Sequence, residues 1–241
     1  MSGILYIISA PSGSGKTTLV NELRQYVTSL EFSISYTTRP PRGSEQDGRE
    51  YHFITRSEFE AMKDRDEFLE FAEVFGNYYG TARSVLEQAR EHGHDLLLDI
   101  DVQGARQVKK KMPEALSIFV LPPSRKELES RLRKRSQSEN MHSEEVIKRR
   151  LDTARKEIEN YPNYDYILVN DRLEQSVDQL QAIVLAERIR RAGKPFSNED
   201  QRFLTTAEKC LKSNMEEKIR NILASFDVAL PAVLENAEVK R

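Results

Sequence analysis

The segment Ala10-Pro-Ser-Gly-Ser-Gly-Lys-Thr17, continued by Thr18, sets glycines, a lysine and hydroxyls directly after a short apolar run. That combination suits a polyphosphate. Successive backbone N–H groups at a helix start form an anion nest, Lys16 reaches the β- and γ-phosphates, and Thr17 offers an oxygen to Mg2+. The spacing is that of a P-loop, except that Ala10 stands where the first glycine falls. Residues Ala10, Pro11, Ser12, Gly13, Ser14, Gly15, Lys16, Thr17 and Thr18 are therefore the candidate nucleotide-binding set. Further along, Asp99 and Asp101 end an apolar run. A carboxylate there can meet the metal of a P-loop nucleotide, with Asp99 beside Thr17, or it can simply cap the strand end.

A second group has the chemistry to receive the phosphoryl group. Arg39 and Arg42 flank a Pro-Pro pair in Ser33-Ile-Ser-Tyr-Thr-Thr-Arg-Pro-Pro-Arg42, with Glu45, Tyr51 and Tyr79 downstream. Two arginines on a proline-stiffened segment, with tyrosine hydroxyls near, can clamp a phosphate through charge-assisted hydrogen bonds; read alone they also fit a solvated basic loop. A third basic group, Ser130-Arg-Leu-Arg-Lys-Arg135 with Lys148-Arg-Arg150, fits either a solvated helix face or arginines carried over transferring phosphates. The remaining candidates carry little. His52, His92, His94 and His142 share no ligand spacing with cysteine or a carboxylate cluster, which assigns them surface or turn positions. Lys109-Lys-Lys111 sits at a helix end, where cations suit the dipole.

Strands alternating with helices must hold these groups. Apolar runs at Ile4–Ile8, Asp95–Asp101, Leu116–Leu121 and Tyr164–Val169 each precede a helical pattern, which predicts an α/β fold with a parallel core sheet. Between the first helix, Lys16–Val27, and Asp95 the texture turns short, polar and aromatic: Phe32–Tyr36, Glu50–Ile54 and Glu67–Phe75 predict an inserted mixed sheet. Capping boxes are expected at Ser57 with Glu60 and at Ser124 with Glu127. After Arg191 a Gly-Lys-Pro break precedes apolar residues at helical spacing from Asn198 to Phe226, a tail helix or helix pair packed on the body, or else an oligomerisation or partner helix.

Composition narrows the class. The chain has 241 residues, enough for one large domain or a domain with an appendage. Lys and Arg number 37 against 39 Asp and Glu, so no global charge points to a nucleic-acid polymer or a membrane surface. The single cysteine, Cys210, excludes an internal disulfide and a cysteine metal cluster; with no signal-like N-terminus, the expected location is the cytoplasm.

Taken together, the motifs resemble those of the guanylate kinase family over residues 4 to about 190. Ser9-Ala-Pro-Ser-Gly-Ser-Gly-Lys16, Thr37-Thr-Arg-Pro-Pro-Arg42, Phe75-Gly-Asn-Tyr-Tyr-Gly-Thr81, Leu98-Asp-Ile-Asp-Val-Gln-Gly104 and Leu121-Pro-Pro-Ser124 occur in the family's order. The resemblance implies an ATP-dependent kinase of GMP and dGMP working with Mg2+. By it Arg39, Arg42, Tyr51 and Tyr79 hold the GMP phosphate, Ser35, Glu70, Thr81 and Asp101 face the guanine, and Glu45 steadies the arginines. It further implies a GMP-binding subdomain at 34–83, an arginine-bearing lid at 126–150 with Arg131, Arg135 and Arg150, and a helical extension at 191–241. The lid departs from the family pattern at Ser136, where glycine is usual, and at Gln137–His142, which lengthen the loop. Two other readings share the fold: a module that binds phosphopeptides or protein partners without turnover, and an enzyme for another small phosphate acceptor. Lys16 and Thr17 count against the first, and Ser35, Glu70 and Thr81 against the second. A homo-oligomer is compatible with all three.

Overall fold

The computed structural model describes residues 3–138, 143–193 and 197–229. The chain runs β1 (Leu5–Ser9), α1 (Lys16–Leu23), β2 (Leu30–Phe32), β3 (Tyr36–Thr37), β4 (His52–Phe53), α2 (Arg56–Asp64), β5 (Phe68–Val74), β6 (Asn77–Ala82) and α3 (Arg83–His92). It continues β7 (Asp95–Asp99), α4 (Val102–Lys111), β8 (Leu116–Leu121), α5 (Arg125–Ser138), α6 (Glu144–Ile158), β9 (Tyr166–Val169), α7 (Leu173–Ala192), α8 (Asn198–Glu208) and α9 (Lys212–Ser225).

The order β2-β7-β1-β8-β9 forms one sheet, parallel throughout. Apart from the edge strand β2, its strands are buried on both faces, which is why they read as continuous apolar runs. The period of two nevertheless sorts their side chains. Leu5, Ile7, Leu96, Leu98, Phe119 and Ile167 join the core on one face, and Tyr6, Ile8, Leu97, Ile118, Tyr166 and Leu168 the core on the other. The carboxyl ends of β1, β7 and β9 thus bring the P-loop, Asp99 and Asn170 to one sheet edge, where open α/β sheets bind ligands.

Three expectations need correction. The piece Phe32–Tyr36 divides: Phe32 ends β2 on the core sheet's edge beside β7, while Tyr36 opens the second sheet, β4-β3-β6-β5. The second sheet is mixed, with β3 parallel to β4 and antiparallel to β6. The first helix ends at Leu23, not Val27, because the chain tightens into turns at Arg24–Tyr26. The capping box that starts α2 is Thr55 with Glu58, not Ser57 with Glu60. Glu58 N donates to Thr55 Oγ1 at 3.2 Å and Thr55 N to Glu58 Oε2 at 2.7 Å, which frees Glu60 to pair with Arg56. At α5 the Ser124 hydroxyl does accept from Glu127 N at 3.1 Å.

Beyond α7, helices α8 and α9 pack on the body. Ala207 and Cys210 join one face's core, and Met215, Ile219, Ile222, Leu223 and Phe226 join the other. Lys194 and Pro195 of the break, and residues 230–241 of the extension, lie outside the described residues.

Candidate active site

Between β1 and α1 the loop curls through Gly13 at φ 92° and Gly15 at φ 86°, conformations that favour glycine. At Gly15 a second constraint acts. A Cβ there would stand 2.5 Å from Asn170 Nδ2, the group that donates to Ser14 O at 2.8 Å and holds the loop's shape. Lys16 Nζ is ion-paired with Asp99 and donates to Ile100 O at 3.3 Å. Burial disfavours its charge, but Asp99 more than offsets that and its pKa is raised. Asp99 is thus engaged by Lys16 in this ligand-free arrangement. Asp101 caps α4, accepting from Gln103 N at 3.0 Å and Gly104 N at 2.8 Å, and also faces the cavity described below.

The second sheet supplies the neighbouring pocket. A β-bulge between Phe68 and Glu70 sets Glu70 opposite Thr81, and Ser35 Oγ lies 3.5 Å from Thr81 Oγ1. Glu70 is 3% exposed, and burial pushes its carboxyl up to about 7 against hydrogen bonds from Thr81. Its position depends on a glycine across the cleft: a Cβ on Gly104 would lie 2.2 Å from Glu70 Oε2. Arg39 is 6% exposed. Its guanidinium donates to Tyr79 Oη at 3.2 Å, Pro40 O at 2.7 Å and Glu45 Oε1 at 3.0 Å. Glu45 also accepts from Arg42 N at 2.8 Å, so one carboxylate fixes both ends of the Arg-Pro-Pro-Arg segment.

The arginines expected of a lid lie on α5 and α6. Arg131 donates through Nε to Glu127 Oε1 at 3.0 Å and through Nη2 to Asn170 O at 3.1 Å, which already places it at the P-loop mouth. Arg149 stands 5.2 Å over the ring of Phe75, a non-glycine residue at φ 51° in the β5–β6 turn, so the hairpin and the lid helix touch across the opening. One cavity of about 450 Å³ joins everything. Ala10 through Thr18, Ser35, Arg42, Tyr51, Glu70, Tyr79, Asp99, Asp101, Arg131, Arg135 and Arg150 line it. Arg39, Glu45 and Thr81 are not among its lining residues but bond to ones that are: Arg39 to Tyr79, Glu45 to the Arg42 amide and Thr81 to Glu70.

Comparison with known proteins identifies the family. A family model described as guanylate kinase matches residues 2–187. The chain belongs to the guanylate kinase family. It is 61% identical to the guanylate kinase of Koribacter versatilis, over 94% of this chain and 97% of that one. The guanylate kinase of Alkalilimnicola ehrlichii is 51% identical over 79% and 92%. Among solved structures, that of guanylate kinase from Anaplasma phagocytophilum aligns with a TM-score of 0.64 at 35% identity, covering 77% of this chain and 86% of that one.

Two residues in this guanylate kinase family member's cleft were not read from the sequence. Asn170, which holds the P-loop, directly follows a parallel strand, a position that could have marked it. Glu157 gave no signal, being one acidic residue on a highly charged helix. It is half-buried in the cavity wall, with its Oε2 atom buried and unpartnered among the described residues. Burial, with Asp101 adding, pushes its carboxyl up to about 7, while the Ser12 amide pulls the other way. Ser136 is buried at the end of α5, and residues 139–142 of the lid loop lie outside the described residues.

Proposed function

We propose that this chain transfers the γ-phosphoryl group of ATP to GMP and dGMP, producing ADP with GDP or dGDP. One observation carries the reading: the P-loop and a buried carboxylate, Glu70, open into the same cavity. Guanine presents N1–H and N2–H2 donors side by side, which a single carboxylate accepts together. Adenine presents an acceptor at N1 and no 2-amino group, so Glu70 would face it unpaired. Ser35 and Thr81 would fix the ring, with Asp101 at its edge. Arg42, Tyr51 and Tyr79 would hold the GMP phosphate, oriented by Arg39 and Glu45. The attacking oxygen is already anionic, so the site needs no strong base. It needs in-line positioning and charge neutralisation.

Lys16 and the loop amides would hold the ATP phosphates, and Arg131, Arg135 and Arg150 would neutralise charge on the transferring group. Thr17 and Asp99 are hard oxygen donors at the nucleotide's phosphate end of the cavity, a donor set that fits Mg2+ with water completing its shell. Bound there, Mg2+ would offset phosphate charge; Lys16 would then exchange Asp99 for phosphate. In this reading 34–83 is the GMP-binding subdomain, 126–150 the lid and 191–241 a helical extension. The chain would serve guanine nucleotide metabolism in the cytoplasm; no described helix is long and apolar enough to cross a membrane.

A coupled ADP-release assay with GMP, dGMP, AMP, CMP and UMP offered in parallel tests the assignment. Turnover restricted to GMP and dGMP is expected, and Lys16→Met should abolish it while calorimetric GMP affinity persists. GMP bound without turnover by the wild type would instead favour the interaction module.

A further inference from the structure

At the sheet edge opposite the cleft, two histidines given surface roles by sequence spacing meet a carboxylate. His92 is the last residue of α3, His94 immediately precedes β7, and Gly93 between them adopts φ 69°. That left-handed turn aims both rings at Glu31 on the edge strand β2. His92 Nδ1 lies 2.7 Å and His94 Nδ1 3.0 Å from the same oxygen, Glu31 Oε1. All three side chains present a ligand atom within 4.8 Å of one another. β7 is five residues long, which puts this cluster about 16 Å from Asp99 at the other end of the strand.

We propose that Glu31, His92 and His94 form a binding site for a divalent transition-metal ion of the Zn2+ class, separate from the nucleotide cleft. Two imidazoles and one carboxylate match the borderline preference of Zn2+, whereas Mg2+ and Ca2+ prefer oxygen ligands alone. Ligand atoms at zinc bond lengths of about 2.0–2.1 Å in a tetrahedron stand roughly 3.3 Å apart, so the two contacts to Glu31 Oε1, at 2.7 and 3.0 Å, must open and the two Nδ1 atoms, within 4.8 Å of one another, must adjust by side-chain rotation to admit an ion. The imidazoles are 59% and 39% exposed, which lets an ion enter without opening the fold and leaves the fourth position to water. The backbone supporting them is fixed. His94 N donates to Ala89 O at 2.9 Å, Gly3 packs directly on the His94 carbonyl, and β2 is registered to β7 by the pair Glu31 and Leu96. The ion would replace the two ring protons now shared with Glu31 and tie β2 to the α3–β7 turn. That turn follows the second sheet, so the ion would also brace the base of the insert. The inference does not depend on the kinase reading.

Tag-free, EDTA-dialysed full-length protein without nucleotide is titrated calorimetrically with Zn2+ alone and with Mg2+ alone. One equivalent of Zn2+ with a raised Tm, and no comparable Mg2+ binding, is expected. Glu31→Gln, His92→Ala and His94→Ala should each weaken Zn2+ by at least about tenfold, because loss of a ligand costs no less than loss of its supporting partner. Co2+ substitution of the wild type provides a readout independent of the variants: tetrahedral visible absorption supports the site, and an octahedral, all-oxygen spectrum overturns it. Absence of saturable Zn2+ binding, or binding unchanged in the His92→Ala/His94→Ala double variant, also overturns it and leaves only a pair of histidines sharing a carboxylate.

Discussion

In the proposed reaction, base choice is assigned to Glu70. Sites that bury a polar group for one ligand can discriminate by about 10⁴ in kcat/KM, because the wrong ligand leaves that group unpaired. Glu70→Ala should therefore lose GMP activity steeply and narrow the GMP to AMP ratio, chiefly by losing GMP; an unchanged ratio would move the role to Asp101. The raised carboxyl adds a pH signature. Near pH 7 and below, ligand-free Glu70 holds a proton that guanine recognition requires it to give up. GMP binding should then release a proton at pH 6, seen as a buffer-dependent calorimetric enthalpy, with affinity climbing toward pH 7 and levelling above it. Stability runs the other way. The folded state keeps the protons of Glu70 and Glu157 where the unfolded state has lost them, so this contribution is full below about 4.5 and disappears as pH rises through about 7. Glu70→Gln should flatten the binding profile. Gly104→Ala tests the same group from across the cleft. Alanine gains about 1 kcal/mol of helix propensity but overpacks Glu70 by about 1–3 kcal/mol, so a small loss of Tm should accompany a large rise in GMP KM, with ATP affinity kept.

The proposed lid belongs to the element scale, since Arg131 and Arg135 come from α5 and Arg150 from α6, and they meet at the cavity only through packing. Single Ala substitutions at Arg131, Arg135 and Arg150 should lower kcat by about 10² or more with modest effect on nucleotide Kd. Wild-type kcat in all three would return them to a solvated helix face. Arg131 carries a further cost, because its guanidinium also bonds Asn170 O beside the P-loop. At this scale it is clear why some of the molecule was legible in the sequence. The P-loop is one contiguous segment whose chemistry is local, and the parallel strands announce themselves by burial on both faces. The edge strand β2 was hidden, because three residues, Leu30–Phe32, carry too little pattern to separate them from the adjoining insert. The α2 cap was misplaced because Thr55-x-x-Glu58 and Ser57-x-x-Glu60 overlap, and only the folded chain decides between them. Asn170 on Ser14, Glu157 under the loop and Glu31 between two histidines are contacts over long sequence separations, which no spacing rule encodes.

For the whole molecule the open element is the extension. An oligomerisation helix would leave its apolar stripe free, yet Met215, Ile219, Leu223 and Phe226 are each buried within this chain's own core. The same segment also bonds to α5 and α6. Ser225 Oγ accepts from Arg125 N at the start of α5 at 3.1 Å, and Asp227 O accepts from Arg155 of α6 at 3.1 Å. Phe226 lies between those two contacts. Phe226→Ala removes a fully buried ring and should cost about 3–5 kcal/mol of stability. Below its reduced Tm it should retain GMP affinity, because neither substrate pocket includes the tail. Deletion after Arg191 removes the whole stripe, bares the core surface that it covers and should lower Tm further, with residual turnover and no loss of a defined oligomer. Thermal unfolding and sedimentation velocity on the two variants separate the alternatives. A truncated chain that kept the parent Tm but fell to a smaller assembly would show that the tail joins copies of the chain and does not complete its core.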